Sequence, residues 1–103
     1  MIESPVVSIH IPAPMRRLVE GRDEVTVSGD TVGEALQALE RTYPKTAGSI
    51  LRSNGQLQPS VDVYLGPTSI RGLGGMDTPI NTEEVISIVP RRTRVIEGEI
   101  SVG

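Results

Sequence analysis

The stretch GDTVGEALQALERTYP, residues 29–44, constrains the fold more than any other part of this chain. Thr31 followed three residues later by Glu34 is the spacing of a capping box, in which side chains satisfy backbone N–H groups orphaned at a helix start. Val32, Ala35, Leu36, Leu39 and Tyr43 then fall at i, i+3, i+4, i+7 and i+11, a single apolar stripe. The spacing predicts a helix of about three turns that ends before Pro44, with Glu34, Gln37, Glu40 and Arg41 on its solvated face. A helix with one apolar stripe needs a surface to cover, and the rest of the chain supplies strands.

In PVVSIHIP, Val7, Ile9 and Ile11 alternate with Val6, Ser8 and His10, the period of a strand with one buried face. PAPMRRLVEGRDE reads as a loop, and VTVSG as a second strand hairpin-linked to the first. KTAGSILRSNGQLQPS reads as mostly irregular, with a short helical turn around Ile50 and Leu51 and a turn at Asn54-Gly55. VDVYLG places Val61, Val63 and Leu65 inward against Asp62 and Tyr64, and SIRGLGG starts another short strand that glycine breaks. Val85, Ile86, Ile88 and Val89 suit a buried final strand, after which Pro90 forbids the next ladder hydrogen bond. The order is two hairpin-linked strands, a helix, an irregular segment and three more strands. It packs most economically with the helix across one face of a mixed sheet and the last strand beside the first. That is an α+β, β-grasp arrangement, with residues 1–90 as the domain and 91–103 as a tail, either flexible or an edge strand.

Composition closes several other routes. One domain is the expectation for 103 residues. Without cysteine there are no disulfides, thiolate metal sites or cysteine nucleophiles, and without Phe or Trp the core must be Val, Ile and Leu. A net charge of −3 and only two aromatic residues, Tyr43 and Tyr64, argue against nucleic acid as a partner. No apolar run approaches a membrane span, and Glu3 stands where a signal peptide carries positive charge, so the expected location is the cytoplasm. His10 is the single histidine, on an outward strand position with no partner nearby in sequence, and is read as a surface residue. No convergent acid, base or nucleophile set is readable, so neither an enzyme nor a cofactor or metal site is expected.

The combination of SGDTVGEALQALERTYP, VDVYLG and IRGLGGMDTPINTEEVISIVP resembles the ubiquitin-like sulfur carriers, the MoaD/ThiS family, which includes the small subunit of molybdopterin synthase and the thiamin-pathway carrier. Arg71 with Leu73, then Asp77-Thr78-Pro79-Ile80 and Glu83-Glu84-Val85, match the family's loop and final strand. The resemblance implies a carrier with no active site of its own. An activating enzyme adenylates its terminal glycine carboxylate, sulfur replaces the adenylate, and the thiocarboxylate serves a sulfur-accepting enzyme in cofactor or metabolite biosynthesis.

Here the family's short tail and terminal Gly-Gly are replaced by a longer segment, Arg91 to Gly103, ending Ser101-Val102-Gly103. Val102 puts a β-branched side chain where glycine is expected, and the internal pair Gly74-Gly75 is turn punctuation that exposes no carboxylate. Gly103 is the candidate thiocarboxylate acceptor, and Arg91, Arg92 and Arg94 are candidate partner-binding residues of the tail. Ile100 and Val102 alternate beyond Gly98, and the basic cluster precedes Glu97 and Glu99. That pattern leaves a second reading open: a diverged β-grasp binding module that carries no sulfur and uses its tail for strand addition or homo-oligomerisation.

Overall fold

A computed structural model of the protein describes residues 5–81 and 84–90. The strands are β1 (Val6–His10), β2 (Glu24–Ser28), β3 (Val61–Leu65), β4 (Thr68–Ser69) and β5 (Val85–Pro90), with one α-helix, α1 (Val32–Thr42). They form a five-stranded mixed sheet in the order β2-β1-β5-β3-β4. The last strand lies beside the first, parallel to it through Ser8–Val85, Ile9–Ile86 and His10–Ser87, while β1–β2, β3–β4 and β3–β5 pair antiparallel.

The helix forms where its caps and stripe place it. Glu34 N–H donates to Thr31 Oγ1 at 3.2 Å, and Glu34 Oε1 accepts from the N–H of Asp30 at 2.9 Å, one residue earlier than an ordinary capping box reaches. Val32, Ala35, Leu36 and Leu39 are buried against the sheet beside Val7, Ile9, Val61, Val63, Ile86 and Ile88. At about 1.5 to 3 kcal/mol for each large aliphatic side chain removed from water, this stripe and not helix propensity holds α1 in place. Tyr43 turns extended (φ −128°, ψ 82°) because Pro44 disfavours a helical residue before it.

The loop after β4 latches onto the helix start. Val32 N–H donates to Thr78 O at 3.0 Å, Ile80 N–H donates to Asp30 O at 2.9 Å, and Ile80 fills the core. Thr78 is buried; its hydroxyl donates to Gly75 O at 2.6 Å and accepts from Gly74 N–H at 2.9 Å, closing the turn on itself. Part of the loop that carries the family resemblance, Thr78 to Ile80, is thus an architectural element.

Four expectations from the sequence need correction. Residues Ala13–Val19 are not plain loop but a 3-10 helix, started at Pro12 and Pro14, tied by Arg16 Nε to Ile11 O at 3.0 Å and plugged by buried Val19. The helical turn expected near Ile50 and Leu51 is at Pro44–Thr46; Ile50 and Leu51 are buried instead, and Leu51 bridges antiparallel to Leu57 around the Asn54-Gly55 turn. The short strand is Thr68–Ser69, since Ile70–Gly72 coils into a 3-10 turn capped by Ser69 Oγ and anchored by buried Ile70. Finally, β5 is not buried on both faces: Ile86 and Ile88 point into the core, whereas Val89 is 39% exposed, because α1 covers only one side of the sheet.

Topology also fixes which features share an end of the domain. β1 and β5 run parallel, so they finish at the same end, where Ala13–Val19 leads from β1 to β2. That segment packs against the Pro44–Thr46 turn following α1. The C-terminal end of α1 therefore sits at the end of the domain from which the chain continues past Pro90.

Candidate functional site: the last strand and the open sheet face

Pro90 is tolerated in β5 because it is the strand's last residue, paired in register with Val61, the first of β3, whose N–H turns away to donate to Gln58 O at 3.1 Å. Flanked by β1 and β3, β5 is the central strand, and it carries the chain to the rim of the domain. Beyond it lie thirteen residues, Arg91 to Gly103. Gly103, Arg91, Arg92 and Arg94, the site residues expected from the sequence, all lie outside the described residues.

The face of the sheet away from α1 leads up to that exit. Register aligns Ser69, Tyr64, Ser87, His10 and Glu24 in one row across the strands, with Asp62 beside Val89 nearer the exit. His10 is exposed, as its strand phase requires. Arg71 Nη2 lies 3.1 Å from Asp62 Oδ1, so the main charge pair on this face is internally compensated. Val85, Ser87 and Tyr64 are half-buried and Val89 is exposed, so this face presents partly accessible apolar, hydroxyl and aromatic groups beside its charges. The alternation Val85-Ile86-Ser87-Ile88-Val89, with serine at its midpoint, is the sequence signal that could have split this strand into an inner and an outer face.

An open cavity of about 270 Å³ meets this face at His10 and Glu24, with Ile11, Arg16 and Asp23 on its walls. Another, about 660 Å³ and wide open, lies between the polar side of α1 and the turn after Leu51, with Gln37, Arg41 and Arg52 on its walls. Among the described residues no group of three or more His, Asp or Glu could hold a metal ion, and no helix is long and apolar enough to cross a membrane.

This architecture, one helix across a mixed five-stranded sheet whose central strand is the last, defines a ubiquitin-like β-grasp protein. No family model matches the chain. The sulfur carrier protein CysO of Mycobacterium tuberculosis is 30% identical over 86 residues, covering 82% of this chain and 92% of that protein. Its crystal structure superposes with a TM-score of 0.77 over 84% of this chain and 99% of that one. The small archaeal modifier protein 1 of Methanosarcina acetivorans shares the fold with a TM-score of 0.81 at 23% identity, over 91% of this chain and all, 100%, of its own. CysO of Amycolatopsis orientalis, in its complex with BexX, gives 0.78 at 21% identity over 86% and 99% of the two chains. The chain belongs to the ubiquitin-like sulfur carrier family. These relatives are small carriers and modifiers and not enzymes.

Proposed function

We propose that this protein carries sulfur as a thiocarboxylate on its C-terminal glycine, Gly103 or a glycine exposed by trimming. The observation that carries the reading is the delivery of the chain by the central strand β5 to an exposed Pro90, with thirteen further residues beyond it in the sequence. In the first step the terminal carboxylate attacks the α-phosphate of ATP in an activating enzyme, forming the acyl adenylate and releasing pyrophosphate. A sulfur nucleophile then displaces AMP, leaving the thiocarboxylate, which a sulfur-accepting enzyme consumes. The domain supplies no catalytic group to either step; it presents the carboxyl carbon and docks. The open face around Tyr64, Ser87 and Val89, continuous with the exit at Pro90, is the docking surface this reading assigns to those partners. Arg91, Arg92 and Arg94 would add electrostatic attraction next to it. Residues 1–90 act as the folded unit and 91–103 as the reactive tail, working in the cytoplasm.

Val102 favours a second reading, because a β-branched residue beside the terminal glycine narrows the backbone conformations available in a channel shaped for glycine. In that reading the protein is a binding module whose tail adds as a strand to another sheet or to a second copy. One comparison separates the two. With a cognate activating enzyme, ATP-dependent adenylation should proceed on the native chain, improve with Val102→Gly and vanish when Gly103 is deleted. An inert native chain, in a mixture where an established carrier reacts, would leave the binding module.

A further inference from the structure

The two edges of the sheet are unlike. At one, β4 is two residues long, Thr68–Ser69, and coils at once into a 3-10 turn, so it offers little backbone to pair with. At the other, β2 runs for five residues in unbroken register with β1. It has no bulge, proline or lysine, the usual devices that keep an edge strand from pairing, and Glu24 is its one charge.

Hydrogen-bond phase identifies which backbone groups of β2 face outward. Gly29 N–H donates to Pro5 O at 3.1 Å, and Ile11 N–H donates to Asp23 O at 2.9 Å. Bonded pairs recur at every second residue of an antiparallel ladder, so Val27 and Val25 bond to Val7 and Ile9. The N–H and C=O groups of Glu24, Thr26 and Ser28 therefore point away from β1, and among the described residues no other element bonds to them. Their side chains are exposed, whereas Val25 and Val27 are buried on the helix side of the sheet.

We propose that β2 is a dimerisation edge: a second copy of this chain adds its own β2 antiparallel, with Thr26 on the two-fold axis. In this register Thr26 exchanges both backbone hydrogen bonds with its counterpart, and Glu24 does so with Ser28 of the second copy, so every outward group of the strand is used. The charges beside the strand select this occupant. Arg22 precedes β2 and Asp30 follows it; both are exposed, and neither side chain is in an ion pair among the described residues. Pairing centred on Thr26 sets Arg22 of each copy against Asp30 of the other, and Glu24 against the hydroxyl of Ser28. Sliding the copies until Thr26 faces Ser28 brings Glu24 against Asp30, two like charges. Sliding them the other way, until Glu24 faces Thr26, leaves Ser28 past the end of the partner strand and Arg22 away from Asp30. Parallel pairing in register opposes Glu24 to Glu24. The edge is thus self-complementary in one register, as an isologous two-fold contact requires.

The arrangement places both α1 helices on one face of a continuous sheet and sets Val25 opposite Val27 on that side, extending the apolar layer across the junction. Because β1 separates β2 from β5, the strand that delivers Pro90 is untouched, and the two-fold axis sends the two chain exits to opposite ends of the dimer. The proposal needs none of residues 91–103 and is independent of the carrier reading. A contact of one short strand is small beside the roughly 1,600 Å² of a standard interface, so a dissociation constant on the order of 100 μM is expected.

Sedimentation equilibrium of the full chain from about 10 μM to about 1 mM brackets that constant, and amide hydrogen exchange read by NMR gives the residues involved. The amides of Glu24, Thr26 and Ser28 should gain protection with concentration, while those of Val25 and Val27, already bonded to β1, should change far less. Thr26→Lys sets two like charges on the axis at an exposed site and should weaken association by at least about tenfold, with an unchanged circular dichroism spectrum. Arg22→Asp should weaken it severalfold, and adding Asp30→Arg to that variant should restore it, which a purely structural effect of either substitution does not do. A chain that stays monomeric throughout, a dimer that Thr26→Lys leaves intact, or protection that rises on other strands and not on β2 would overturn the proposal. Protection of the β2 amides that appears only with an added extended peptide would overturn it as well, giving the edge to a different partner. Failure of the double exchange to restore association would overturn the register.

Discussion

Replacing Leu39 by alanine tests the packing that places the last strand. Leu39 is fully buried at 0% exposure on the stripe that α1 lays on the sheet. The substitution deletes three carbon atoms, a transfer loss of about 2.4 kcal/mol at about 0.8 kcal/mol per carbon. A residual void of roughly 50 Å³ adds about 1.2 kcal/mol at about 24 cal/mol per Å³, for a total near 3.5 kcal/mol. The chain has no Phe or Trp whose large ring could swing into the gap, and the neighbouring Val and Ile side chains are stiff at χ1, so collapse around the void is limited. Urea unfolding followed by far-ultraviolet circular dichroism measures the change, with an unchanged m-value as the sign that only stability moved. Gln37→Ala, on the exposed face of the same helix, should stay within about 0.5 kcal/mol of the parent. A Leu39→Ala cost below about 1 kcal/mol, or equal costs for the two variants, would refute the packing argument.

Thr31→Ala removes the hydroxyl that accepts from Glu34 N–H and should cost about 1 kcal/mol in the same assay. Gly29→Ala should cost about 1 to 3 kcal/mol, because a Cβ there would stand 2.7 Å from the backbone nitrogen of Ala35, which cannot yield without moving the helix start. Removing residues 91–103 should leave the thermal midpoint within a few degrees of the full chain, since the buried apolar residues described run from Val7 to Ile88. A truncated chain that fails to fold would make the tail a structural strand.

The elements legible in the sequence were those whose signal is local. Thr31, Glu34 and the stripe from Val32 to Tyr43 specify α1 within one residue at its C-terminal end, because capping and a 3.6-residue period are both properties of a short window. Likewise, Val7, Ile9 and Ile11, and Val61, Val63 and Leu65, announce their inner faces by alternation. What escaped was set by tertiary context. The 3-10 helix at Ala13–Val19 looks like loop because prolines and arginines dominate it, and its one anchor, Val19, has no periodic companion. Ile50 and Leu51 are adjacent apolar residues that suit a helical turn or a plugged loop equally well, and burial decided between them. The outer face of β5 was obscured because Val85 and Val89 are as apolar as the residues they alternate with, so only the sheet's one-sided covering distinguishes them. The open face therefore became visible only through register, while Gly103 was nominated by the family resemblance and not by any pattern in the residues around it.

The central claim concerns one atom, and intact mass measured on the protein from its native host tests it most directly. Replacement of a terminal carboxyl oxygen by sulfur adds about 16 Da, nearly the increment of an oxidised methionine, so fragmentation must assign the change to the terminal glycine and not to Met1, Met15 or Met76. The account predicts a population bearing this mass at Gly103 or at a newly exposed glycine, removed on treatment with a thiol-alkylating reagent in favour of the alkylated form. A terminus that remains an unmodified carboxylate, under growth conditions in which an established carrier from the same cells is thiocarboxylated, would contradict it.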